Sequence, residues 1–104
     1  MAQFDVFTNP IVAARHAYPF VVALQSDFAH DARDQIVAPL VPHQSMSKIA
    51  GRLTPVVALN GSEHVVLVPA MTSVRSRDLA KRLGSVVSAR SELLAAIDYL
   101  FFGV

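Results

Sequence analysis

Short apolar runs alternate with polar connections along the chain to about residue 74, and helical spacing is clear from about residue 88. "QFDVFT" (residues 3–8) sets Phe4, Val6 and Thr8 on one face and Gln3, Asp5 and Phe7 on the other. That is the period of two of a strand, with apolar side chains on both faces. Asn9-Pro10 then marks a turn. "PFVVALQSD" predicts a second strand over residues 20–25, rich in β-branched side chains. "HDARDQ" is a polar connection, and "IVAPLV" (residues 36–41) predicts a third strand. Pro39 in that strand has no N–H to donate, which predicts an edge or a bulge. Residues 42–52 read as irregular, or as a short strand with a turn. The clearest local signal is "PVVALNGSEHVVLVP", two apolar runs around Asn60-Gly61. Asn-Gly suits the positive φ values of a type I′ turn, so this segment predicts a hairpin. "AMTSV" either continues the strand or turns away.

Residues 75–84, "RSRDLAKRLG", are ambiguous. Ser76 could cap a short helix that Gly84 ends, or the segment could be extended. Residues 88–102, "SARSELLAAIDYLFF", predict one helix: Leu93, Leu94, Ile97, Leu100 and Phe101 follow the i, i+3, i+4, i+7 spacing of a buried stripe. Ser88 is placed to cap its start, Glu92 sits where the helix dipole favours a negative charge, and Gly103 is placed to end it. The pattern predicts one mainly β domain of five or more antiparallel strands, curled into a small barrel and followed by a C-terminal helix.

Composition sharpens this picture. Hydrophobic residues make up 53% of the 104 residues and charged residues 16%. So apolar a chain predicts a buried subunit interface, with a dense core as the alternative. The net charge is +1 with mixed signs, so no basic stripe calls for unassisted nucleic-acid binding. The absence of cysteine excludes disulfides and a thiolate nucleophile and fits a reducing cytosol. "MAQFDVFTNP" lacks the features of a signal peptide, and no long apolar stretch predicts a membrane span.

Candidate chemistry is sparse. His16, His30, His43 and His64 have no metal-ligand spacing and read as surface or loop residues. Ser26, Asp27, His30, Asp31 and Asp34 allow a triad on paper, but no nucleophile-elbow motif accompanies them. Glu63 and Asp78 sit beside turn or polar residues, unlike carboxylates tuned for acid–base work. The glycines stand alone, so no phosphate loop is present. Arg75, Arg77, Lys81 and Arg82 form one basic cluster, read first as a solvated face and second as a contact for an acidic partner or phosphate. No catalytic residue, cofactor or metal is expected, and binding is the expected class of function.

Five segments together resemble the CcdB family of toxins, in order and with similar gaps: "QFDVFTN", "FVVALQSD", "IVAPL", "LTPVVALNGSEHVVLVPAMTSV" and "LLAAIDYLFFGV". The resemblance implies an SH3-like barrel, an antiparallel sheet plus a small additional sheet, with one C-terminal helix. It implies the toxin of a type II toxin–antitoxin module in the bacterial cytoplasm. Its homodimer binds the DNA gyrase A subunit and traps the cleaved gyrase–DNA complex, with no chemistry of its own. A CcdA-like antitoxin neutralises it. The gyrase-contact positions carried over are Phe102, Gly103 and Val104, with Phe101 and Asp98 behind them and Ser26, Phe28 and Ala29 in a flanking loop. Leu100, Phe101 and Tyr99 are carried over as dimer interface, and core packing is the alternative for Leu100 and Phe101. The bland reading of residues 102–104 is an end folded back on its own subunit. Classical members carry tryptophan at the position of Phe102 and isoleucine at that of Val104, and the connection "PIVAARHAYP" is longer and less charged here. An endoribonuclease of the MazF type, using Arg15 or Arg33 with a His or Asp, shares the barrel and is the rival class. A non-toxic homologue that only binds antitoxin is a third reading.

Overall fold

The computed structural model describes residues 2–26, 33–45 and 51–103. Seven strands form one antiparallel sheet: β1 (Asp5–Thr8), β2 (Phe20–Ala23), β3 (Asp34–Pro42), β4 (Val56–Leu59), β5 (Ser62–Val66), β6 (Thr72–Arg75) and β7 (Arg82–Ser85). Among the described residues a single α-helix, α1 (Arg90–Phe102), follows them. The spatial order is β4-β5-β3-β2-β1-β7, with β6 also on β3. The fold is mainly β, a curled half-barrel with one helix, as the sequence predicts.

β3 is the hub. Its first half pairs with β6 (Asp34↔Arg75 to Val37↔Thr72) and its second half pairs on the same side with β5 (Leu40↔Val66 to Pro42↔His64). Pro39 sits where one partner gives way to the other. It is therefore not on an edge, because β2 covers its other side (Val21↔Pro39). The missing N–H faces the gap between β5 and β6, while the Pro39 carbonyl accepts from the Leu67 N–H at 2.9 Å.

The hairpin forms as predicted. Leu59 pairs with Ser62 across Asn60 (φ 50°) and Gly61 (φ 84°), the two left-handed residues a type I′ turn requires. The first strand starts later than its alternation suggests. Phe4 is buried in the left-handed region (φ 69°), inside a turn closed by Asp5 N–H to the Ala2 carbonyl at 3.1 Å. Such a conformation is unfavourable for a bulky residue. Here it is held by Phe4 N–H on the Ala23 carbonyl (2.7 Å) and Val86 N–H on the Phe4 carbonyl (3.0 Å).

Residues 75–84 take the extended alternative after a short 3-10 turn, Ser76–Asp78. Gly84 does not end a helix. It lies in β7 opposite Val6, with Leu83 bulged out of the ladder. The helix starts at Arg90 after a 3-10 turn, Val87–Ala89. Ser88 does not cap it: the cap position is Ala89, with no side-chain hydrogen bond. The Ser85 hydroxyl instead accepts the Val87 N–H at 3.1 Å.

The two-sided alternation of β1 and β2 has a simple cause. Phe4, Val6, Val22, Leu24, Ala38 and Leu40 face the helix and pack on Leu93 and Ala96. Phe7, Val21, Ala23 and Val37 face the other way, where the β6–β7 connection lays Leu79 over them. Each fully buried aliphatic side chain contributes about 1.5–3 kcal/mol. The curl brings the ends of the sheet path together: Asn60 Nδ2, past β4, donates to the Leu83 carbonyl of β7 at 3.4 Å. A Cβ on Gly84 would stand 2.9 Å from Leu59 Cδ1 and 3.3 Å from Asn60 Oδ1.

Gly84→Val is therefore expected to cost about 1–3 kcal/mol through overpacking. Thermal denaturation should show a Tm fall of about 4–8 °C per kcal/mol in a domain this small. Leu93→Ala should cost about 2–5 kcal/mol by the same measurement.

Candidate functional site

The helix decides which side chains reach solvent, because residues three or four apart share a face. Leu93 and Ala96 are buried, and Leu94, Ile97 and Leu100 are half-buried beside them. Phe102 lies four residues after exposed Asp98 on the outward stripe, and its side chain is 75% exposed. Phe101 lies four after Ile97 and is 62% exposed. Phe101 thus leaves the buried stripe that its spacing suggests. The core ends before it does, and Leu100 takes the inward position. Gly103 turns the chain in the left-handed region (φ 73°), with its N–H on the Tyr99 carbonyl at 3.0 Å.

Phe101 forms one wall of an apolar groove of about 370 Å³. The other walls are Leu24, Ile36, Met71 and Ile97, with Gln25 and Thr72 at the rim. Ser26 follows Gln25 directly, so the structure brings the start of the flanking loop to the same surface as Phe101. Phe28, Ala29 and Val104 lie outside the described residues.

Tyr99 takes a different flank, about 200° around the helix from Phe101 by helical geometry. The Arg52 guanidinium carbon lies over its ring, 4.3 Å from the centroid. Beside this pair a second cleft runs between Pro55, Val56, Glu92 and Ala95. The three expected interface residues Tyr99, Leu100 and Phe101 therefore do not form one face. Leu100 points inward, Phe101 borders the apolar groove, and Tyr99 carries Arg52.

The remaining candidates have structural surroundings. Arg82 Nε donates to buried Asp5 at 2.9 Å, and Arg75 lies 3.6 Å from Asp34, so the basic cluster is a face of mixed charge. Nothing local signals the Asp5–Arg82 pair, whose partners are 77 residues apart. His64 is not a surface residue. It is buried in β5, edge-on to Phe20 at 5.8 Å, with Nδ1 3.0 Å from the Ser62 carbonyl. His43 approaches Glu63 at 3.8 Å and His16 is exposed. Asp27, His30 and Asp31, three members of the paper triad, lie outside the described residues. Arg15, a residue of the endoribonuclease alternative, donates through Nε to the Asn9 carbonyl at 2.6 Å. Buried Asn9 organises that connection, donating to the Tyr18 carbonyl and accepting the Ile11 N–H, both at 2.9 Å. Among the described residues no group of three or more His, Cys, Asp or Glu could hold a metal ion. No helix among them is long and apolar enough to cross a membrane.

Residues 3–103 match the family described as CcdB protein. The chain belongs to the CcdB family. No curated protein matches it. Membership places this CcdB-family chain among the toxins of toxin–antitoxin systems.

Phe102→Ala should leave stability unchanged within about 0.5 kcal/mol, as for an exposed residue away from packing. Chemical denaturation of the two proteins side by side checks this, and a larger loss would place the ring in the core.

Proposed function

We propose that this CcdB-family chain acts as a dimer that binds the DNA gyrase A subunit and holds gyrase in its DNA-cleaved state. The observation that supports this most is the exposure of Phe101 and Phe102 at the end of α1, 62% and 75%. Two adjacent aromatic rings left in water, beside an apolar groove, mark a surface built for contact. The Phe102 ring stacks on a target cation, a contact worth about 0.5–2 kcal/mol according to desolvation. Gly103, without a side chain, allows the target backbone to come close. Val104 completes the contact with an aliphatic side chain, and Asp98, Ser26, Phe28 and Ala29 contribute to its rim. A second copy of the chain covers Leu100 and Phe101, and a CcdA-like antitoxin removes the dimer from gyrase. Every step is binding; no bond in DNA is broken by the toxin's own side chains.

The test is DNA cleavage by gyrase of the source bacterium, with the full chain and with a version lacking residues 102–104. The full chain should produce linear DNA in proportion to its concentration, and the shortened one none. Phe102→Trp should strengthen trapping about twofold or more, because the larger indole is the better partner for a cation. No linear DNA with the full chain would overturn gyrase poisoning. Cleavage of RNA by the purified protein without gyrase would instead support an endoribonuclease.

A further inference from the structure

The end of α1 has little to hold it. Its buried residues, Leu93 and Ala96, lie no further along than its middle, and beyond them Ile97 and Leu100 are only half-buried. The last turn carries no basic side chain to balance the negative end of the helix dipole, and Asp98 adds an anion there. One contact reaches this end from the sheet side. Arg52 lies inside the tight turn closed by the Gly51–Thr54 bridge, just before β4, and reaches across to place its guanidinium 4.3 Å from the Tyr99 ring centroid. Tyr99 is also the residue whose carbonyl receives the Gly103 N–H, so its backbone is where the left-handed turn after the helix is attached.

We propose that Arg52 is a positioning residue: stacked on Tyr99, it fixes the last turn of α1 and hence the direction in which Phe102 and Gly103 are presented. The importance of that direction for target binding rests on the gyrase reading above; the tether itself does not. Arg52 supplies a cation on an aromatic face of the last turn. It acts on the last turn, where Leu100 alone packs, half-buried, against the core. Removing it leaves the fold intact and loosens the end of the helix.

The test uses the full chain with Arg52→Ala, Tyr99→Leu, Tyr99→Phe and the double variant Arg52→Ala/Tyr99→Leu. Two quantities are read: hydrogen exchange at the Gly103 amide, and affinity for a purified gyrase A fragment. Arg52→Ala and Tyr99→Leu should each speed Gly103 exchange and weaken binding by about two- to fivefold, the range expected of an exposed cation–aromatic contact. The double variant should be no worse than either single one, and Tyr99→Phe, which keeps the ring, should behave as the parent. Unchanged exchange in Arg52→Ala overturns the proposal. So does additivity in the double variant, or a Tyr99→Phe as impaired as Tyr99→Leu. Loss of affinity in Arg52→Ala with Gly103 exchange unmoved would make Arg52 a direct target contact and would also overturn positioning. If the parent chain does not bind the gyrase fragment, the functional reading fails while the exchange measurement still decides the tether.

Discussion

Strands with apolar side chains on both faces must be covered twice, and this requirement organises the whole molecule. On one side α1 lays Leu93 and Ala96 over Val6, Val22, Ala38 and Leu40. On the other the connection between β6 and β7 crosses with Leu79 over Phe7, Val21, Ala23 and Val37. Both covers come from the second half of the chain and both depend on β3, which holds β6 in place through its first half and β5 through its second. β7, reached through the Leu79 crossing, then pairs with β1 and leads straight into the helix. The position of the contact surface is thus a consequence of how the sheet is closed.

Elements set by neighbouring residues were legible in the sequence. Asn60-Gly61 determines its own turn, and the alternation on either side supplies the strands. The helix was legible from the spacing of Leu93, Leu94 and Ile97. Elements set by distant partners were not. β7 reads "RLGS", with little strand propensity, and exists because β1 offers it a ladder and the Asp5 carboxylate binds Arg82. Phe4 is left-handed because two long-range hydrogen bonds, to Ala23 and from Val86, outweigh its local preference. Pro39 looked like an edge residue because sequence cannot show a strand changing partners midway.

The candidate site divides the same way. The resemblance, not periodicity, named Phe102 and Asp98, which lie four residues apart on one stripe. Local periodicity misplaced Phe101, because the length of the buried stripe depends on where the sheet ends beneath the helix. Phe101 instead lines a groove with Met71 and Ile36, from other strands and turns. The position of Tyr99 against Arg52, 47 residues earlier by their numbers, had no signal at all. Helical spacing states which residues share a face but not what lies opposite that face.

The helix is secured chiefly by Leu93 and Ala96 and displays Phe101 and Phe102 at its end. Folding and display therefore draw on separate sets of residues in one element. Substitutions at Asp98, Phe101 or Phe102 alter what the surface meets while leaving Leu93 and Ala96 to hold the helix on the sheet. In evolutionary terms the exposed positions at the end of α1, Phe101 and Phe102, are free to drift under no constraint from the core. A lineage can change this surface and still inherit the fold.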